Sequence, residues 1–189
     1  MNEGEAGERE LARIEAAAAV PRGNARPRDC GHFEIHIDRN GSWFYRGTPI
    51  NRASLVRLFS TVLTRDAAGT YWLITPAEHG RITVEDAPFL AVELDCIGAG
   101  RDQALTFRTN LGDLVTADAA HPLRIETDPA NGGPRPYILV RNGLEARLVR
   151  PVFYALVELG GEEWVGRTIQ FGVWSKGTFF RLNQPAAGA

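Results

Sequence analysis

One pattern occurs twice along the chain. Trp43-Phe44-Tyr45-Arg46-Gly47 leads, after a short turn, to Leu55-Val56-Arg57-Leu58-Phe59. Tyr137-Ile138-Leu139-Val140-Arg141-Asn142-Gly143 leads in turn to Leu148-Val149-Arg150-Pro151-Val152-Phe153. Each copy reads as an apolar strand, an arginine, a glycine turn and an amphipathic helix that opens Leu-Val-Arg. Further on, Gly69-Thr70-Tyr71-Trp72-Leu73 is answered by Gly177-Thr178-Phe179-Phe180-Arg181-Leu182. A duplicated unit predicts two similar lobes, and a cleft between lobes is where a ligand usually sits.

At 189 residues, 44% apolar and 23% charged, the chain has the make-up of an ordinary globular protein of one domain or two small ones. The net charge of −2 gives no electrostatic case for nucleic acid or an anionic membrane. Lys176 is the sole lysine among 21 basic residues. Arginine suits phosphate, but these arginines are spread along the chain, and a GC-rich genome explains them more simply. The two cysteines, Cys30 and Cys96, form no zinc knuckle and no Cys-x-x-Cys pair. The acidic start has no apolar core for a signal peptide, and no apolar run nears the roughly 20 residues that span a bilayer. The expectation is a reduced bacterial cytoplasm with both thiols free.

Residues 1–29 differ from the rest. A polar, helix-prone stretch over 5–20 is followed by a linker over 21–27, and this segment is expected to fray or lie loosely. The folded body begins near Cys30, where His32 to Asp38 alternate polar and apolar residues as a half-buried strand does. Asn40-Gly41 predicts a type I′ hairpin. Asn51 is a candidate N-cap for a helix whose apolar face is Leu55, Leu58, Phe59 and Val62. Strands are expected near 70–75, 81–84 and 89–95, then over 104–109, 114–117, 123–126, 137–141, 144–148, 169–174 and 178–182. Residues 128–136 read as a loop. Pro151 opens a second helix lined by Val152, Ala155, Leu156 and Leu159, with Gly160 to cap it. Gly98-Ala99-Gly100 is the expected lobe boundary. The domain reading is therefore a polar segment over 1–29, lobes over 30–98 and 99–184, and a tail over 185–189. The fold class is α+β: two similar, mostly antiparallel β lobes, each with one packed helix.

Several strings in combination carry a resemblance: the run from Gly41 through Ile50, Val84-Glu85-Asp86-Ala87-Pro88-Phe89, Thr109-Asn110-Leu111-Gly112-Asp113 and Trp174-Ser175-Lys176-Gly177. Over residues 30–184 the chain resembles the bacterial domain-of-unknown-function family 1285. The resemblance implies a duplicated two-domain core whose C-terminal half is pleckstrin-homology-like. It also implies a role in signal transduction, with a nucleotide-like ligand at the domain interface and a link to oxidative stress.

The candidate site residues each have a bland reading beside the functional one. Glu85 and Asp86 form a carboxylate pair suited to acid–base work or a ribose hydroxyl, or simply a turn before Pro88. Asn110 and Asp113 flank a turn whose N–H groups suit an anion, and His121 adds a titratable donor nearby. Arg46, Arg57, Arg141, Arg147 and Arg150 recur at the duplicated turns and helix starts, with Arg141 the preferred phosphate ligand. Trp174 and Ser175 border the last turn, and Trp174 is the preferred shelf for a base. His32, Glu34, His36 and Asp38 share one strand face, which suits a transition metal but is also what a solvated face looks like. Cys96 is expected to be buried and inert, and Cys30 to be the more oxidisable thiol.

No Walker, dinucleotide-binding, nucleophile-elbow or His-Glu-x-x-His motif is present. The leading expectation is a cytoplasmic, non-enzymatic sensor for a nucleotide-like anion at the lobe interface, with no cofactor or metal, no nucleic acid and no membrane, and with a signalling partner or a homodimer as further options. The second is a protein-interaction module using an edge strand. The third is an enzyme built on Glu85, Asp86 and His121.

Overall fold

Two adjacent residues with positive φ make the tightest hairpin turn, and the described residues include three such pairs. Arg46 and Gly47 (φ 49° and 77°), Asn142 and Gly143 (46° and 76°), and Lys176 and Gly177 (48° and 72°) each close a two-residue turn. The first two sit at equivalent places in a repeated order of three strands, a helix and three strands, each between the second and third strands before the helix. The computed structural model describes residues 3–18 and 27–182. Most of the linker expected over 21–27, and the tail over 185–189, lie outside the described residues.

The chain divides into two compact units, Met1–Pro88 and Phe89–Ala189. The Gly98-Ala99-Gly100 stretch lies within the second unit, where it joins two strands. The first unit opens with α1 (Glu3–Ala18), followed by β1 (Arg28–Ile37), β2 (Trp43–Tyr45), β3 (Thr48–Pro49), α2 (Ala53–Thr61), β4 (Leu63–Arg65), β5 (Tyr71–Ile74) and β6 (Glu78–Val84). Its six strands form one sheet in the order β3-β2-β1-β6-β5-β4. Among the described residues the only parallel pairing there is β1 with β6, which joins the two meanders.

The core of this unit follows from the strand period. Phe33, Ile35 and Ile37 of β1 are 2% exposed or less, and Phe59 of α2 and Leu73 of β5 are fully buried. Burying a side chain of this size stabilises the fold by about 1.5–3 kcal/mol. Helix α2 buries Leu55, Val56 and Phe59. Its N-cap is Arg52, with no side-chain cap bond, rather than Asn51. Asn40-Gly41 is not the expected type I′ pair either. Only Gly41 has positive φ, and the Asp38 carboxylate accepts the N–H groups of Asn40 and Ser42 at 2.9 and 2.8 Å. Segment α1 does not lie loosely: Ile14 is fully buried and Ala17 is 8% exposed. Arg13 also reaches the buried Glu78 carboxylate at 3.4 Å.

The second unit has one meander more. It runs β7 (Phe89–Ile97), a 3-10 turn at Gly100–Asp102, β8 (Ala104–Thr109), β9 (Leu114–Thr116), β10 (Leu123–Thr127), β11 (Pro134–Arg141), β12 (Leu144–Leu148), α3 (Arg150–Glu158), β13 (Gly161–Val165), β14 (Thr168–Ser175) and β15 (Thr178–Arg181). A six-stranded sheet has the order β10-β11-β12-β7-β8-β9, with β12 parallel to β7, and β13-β14-β15 form a separate three-stranded sheet. The architecture is α+β, mostly antiparallel in both units.

Phe89, Ala91, Leu105, Phe107, Ile138, Leu144 and Leu156 are fully buried in the second unit. Ser175, also fully buried, pins its two sheets. Its hydroxyl donates to the Ala117 carbonyl at 2.7 Å and accepts the Leu105 N–H at 3.0 Å. Gly172 allows the closest approach: a Cβ there would stand 2.4 Å from the Phe180 carbonyl oxygen and from the Phe179 ring.

Candidate functional site

The structure gives most of the sequence-derived candidates partners within their own unit. In the first unit, Glu85 accepts the Arg39 backbone N–H at 3.1 Å and its Nε at 3.4 Å, and its other oxygen lies 2.9 Å from His36 Nε2. The Arg39 backbone N–H, with smaller help from the Arg39 side chain and His36, holds the Glu85 carboxyl below the usual carboxylate range. Asp86 is half-buried beside it in the bend that ends β6.

The polar face of β1 is broken where Glu34 takes φ 50° and the β1–β6 register shifts. Glu34 pairs with Arg46, His36 with Glu85, and His32 lies 3.4 Å from the Thr83 hydroxyl. Among the described residues no group of three or more His, Cys, Asp or Glu side chains stands ready to hold a metal.

In the second unit, Asn110 is a structural clamp. Its side-chain oxygen accepts the Leu90 N–H at 3.0 Å, and its own N–H donates to the Leu90 carbonyl at 2.8 Å. Asp113 and Arg141 are brought together at 3.1 Å, and the Arg141 guanidinium lies over the Phe89 ring, 4.9 Å from its centre. The guanidinium preferred for phosphate is thus already occupied by a carboxylate and an aromatic face. His121 closes a loop on itself. Its N–H and ring Nδ1 lie 2.8 and 3.1 Å from Asp118 Oδ1. Burial pushes the Asp118 carboxyl up, and the hydrogen bonds from His121 and Ala120 outweigh it, leaving a net downward shift.

Trp174 donates its indole N–H to Glu163 at 3.0 Å, carries Arg101 on its ring at 4.9 Å and meets Phe179 at 5.3 Å. Ser175 serves as the pin described above. Glu85 and Asp86 belong to the first unit and His121 to the second.

The cysteines differ from expectation. Both are half-buried, Cys96 included. Cys30 lies in β1, and burial, reinforced by its hydrogen bond to Glu78 at 3.4 Å, pushes its thiol up.

Two cavities stand out among the described residues. One, of about 640 Å³, lies between α1 and α2 in the first unit. On its rim Arg52 pairs with Glu15, and Arg9 also lines it. The other, of about 430 Å³, lies in the second unit where β11, β12, the preceding loop and the start of α3 meet. Arg135, Arg147 and Arg150 line it together with Phe153 and Tyr154, against one carboxylate, Asp128.

The backbone dictates that convergence. Arg147 is the cross-strand partner of Tyr137, and Arg135 is two residues along from Tyr137, so both arginines project from one sheet face. Arg150 starts α3, where Pro151 follows and no acidic side chain occupies the first turn. Arg150 Nε donates to the Tyr154 hydroxyl at 2.9 Å. Arg135 stands 3.8 Å from Asp128. Three guanidinium groups and a half-exposed phenol ring suit an anion joined to a planar group. Sequence reasoning named Arg147 and Arg150 but passed over Arg135 and Tyr154. Arg135 was hidden in a Pro/Gly-rich stretch read as loop, whereas β11 begins at Pro134. Pro134 and Pro136 pair with β10 alone, where a missing N–H is tolerated.

Comparison with known proteins agrees with this architecture. The N-terminal domain of unknown function DUF1285 matches residues 21–87, and the C-terminal domain of the same protein family matches residues 88–182. The chain belongs to the DUF1285 family. A DUF1285 family protein from Silicibacter pomeroyi DSS-3, known from its crystal structure, is 44% identical, with a TM-score of 0.80 over 92% of this chain and 93% of that one. Another, from Shewanella baltica OS155, is 28% identical, with a TM-score of 0.51 over 66% of this chain and 90% of that one. No curated protein matches the chain. No helix among the described residues is long and apolar enough to cross a membrane.

Proposed function

We propose that this protein is a binding module for a small anionic ligand of nucleotide-like chemistry, a phosphate carried on a planar ring, held in the second unit's cavity. One observation carries the reading: Arg135, Arg147 and Arg150 line one cavity with Phe153 and Tyr154, with Asp128 also among its lining residues. Two of the arginines project from a sheet, which fixes their direction. The start of α3 adds its dipole, which favours negative charge at that end. The ring of Tyr154, 52% exposed, offers a surface for a base. The role is that of a sensor, in which occupancy rather than turnover is the output.

A thermal-shift series against mono-, di- and cyclic nucleotides, with inorganic phosphate as control, tests it. Binding to the folded state alone raises the melting temperature with ligand concentration; saturation at about 100 times Kd adds about 2.7 kcal/mol of stability. The expected result is a shift with at least one nucleotide that is lost in Arg150→Ala and reduced in Tyr154→Ala. A shift retained in both variants, or none across the series, contradicts the reading.

A further inference from the structure

The β13–β14 hairpin points to a second site. Strand β13 is the terminal strand of its sheet, and among the described residues its outer edge has no strand partner. Trp164 and Ile169 face one another across the hairpin and are 66% and 51% exposed. A side chain built at Gly161 would meet nothing within 4 Å, so the sheet face from which it would project is open there. An exposed tryptophan beside an exposed isoleucine on an unpaired strand is a costly arrangement for a surface that nothing covers.

Charge selects the occupant. Glu162 shares the outward face with Trp164, two residues away on the same strand. Glu158 ends α3 just before it. Glu163 is held by Arg101 at 2.8 Å and by the Trp174 indole, so it stays anchored as part of the acidic strand. A second copy of this chain fits poorly. Antiparallel pairing of β13 with itself about Glu163 would set the two Glu163 carboxylates directly opposite each other, and like charges directly opposite are destabilising.

We propose that β13 accepts an extended segment of a partner protein by strand addition. The segment would carry, two positions apart on one face, a basic residue that meets Glu162 and an aliphatic residue that covers Trp164. Backbone N–H and C=O groups along Gly161–Val165 would supply the ladder. This site stands apart from the arginine-lined cavity and does not depend on a ligand there.

The test uses the full chain and a capped hexapeptide that carries arginine and isoleucine two positions apart with threonine between them, followed by calorimetry and hydrogen exchange. The controls are the same peptide with glutamate for arginine and one with a central proline, which removes a ladder donor. The basic peptide is expected to bind at least about tenfold tighter than either control. It should protect the amides of residues 161–165, bind more weakly to Trp164→Thr, and lose its preference over the acidic peptide in Glu162→Arg. Both substitutions are at exposed positions and leave the core intact. No binding of the basic peptide, equal binding of the acidic one, or protection elsewhere overturns the proposal. So does a concentration-dependent dimer that protects the same amides, since the edge would then belong to a second copy.

Discussion

Arg150 and Tyr154 stand four residues apart on α3, and the guanidinium Nε donates to the phenol oxygen at 2.9 Å. The spacing puts both side chains on one helix face. The phenol thereby holds the arginine over the cavity shared with Arg135 and Arg147. Tyr154→Phe keeps the ring and removes the oxygen. It is expected to weaken nucleotide binding several-fold, about 1 kcal/mol, by releasing Arg150. Calorimetry with whichever nucleotide gives the largest thermal shift checks it, and unchanged affinity would show that the hydrogen bond does not position Arg150.

Ser175→Ala removes both bonds that pin the second unit's sheets and leaves the buried Leu105 N–H without its acceptor. The expected cost is about 1–3 kcal/mol, read as a lower urea midpoint at unchanged slope.

Gly172→Ala is expected to cost about 2 kcal/mol or more, because the new methyl meets the Phe180 carbonyl, a backbone atom that cannot step aside. A urea midpoint equal to that of the unaltered chain would show that β14 and β15 separate more easily than their packing implies.

The Cys30 thiol is held above its ordinary value by burial and by Glu78. At neutral pH it is therefore expected to react slowly with iodoacetamide, since the thiolate is the nucleophile. Glu78→Gln removes the negative charge while Arg13 remains near, so alkylation should quicken and its pH midpoint fall. An unchanged rate would show that burial alone sets this thiol.

Glu85 titrates below the usual carboxylate range, through the Arg39 N–H first and His36 after it. A lowered folded-state value means its contribution is complete above the unfolded carboxylate pKa and is lost as pH falls through the folded one. The melting temperature of Glu85→Gln should therefore lie below that of the unaltered chain near pH 7, with the gap closing below about pH 4. A gap independent of pH would contradict this.

The hairpins were the most legible part of the chain. Arg46-Gly47, Asn142-Gly143 and Lys176-Gly177 are local signals, since two positive φ angles in succession are decided by the residues themselves. Asn40-Gly41 misled because the Asp38 carboxylate captures two N–H groups and selects another turn. Strand β13 went unseen because an edge strand with Glu162 and Trp164 both exposed shows no alternation of apolar and polar residues. The docking of α1 rests on Ile14 and Ala17. An alanine contributes nothing to an apolar stripe until a partner surface is known. The cavity was half legible. Arg147 and Arg150 stood out at the repeat, but their meeting with Arg135 depends on the β11–β12 register, which is a tertiary fact.

The most direct measurement is an NMR titration that follows arginine Nε–H signals as a nucleotide is added. The signals of Arg135, Arg147 and Arg150 are expected to shift together along one binding curve, while those of Arg101 and Arg141, which do not line the cavity, stay in place. Shifts confined to Arg101 and Arg141, or no arginine shift at saturating nucleotide, would contradict binding in this cavity.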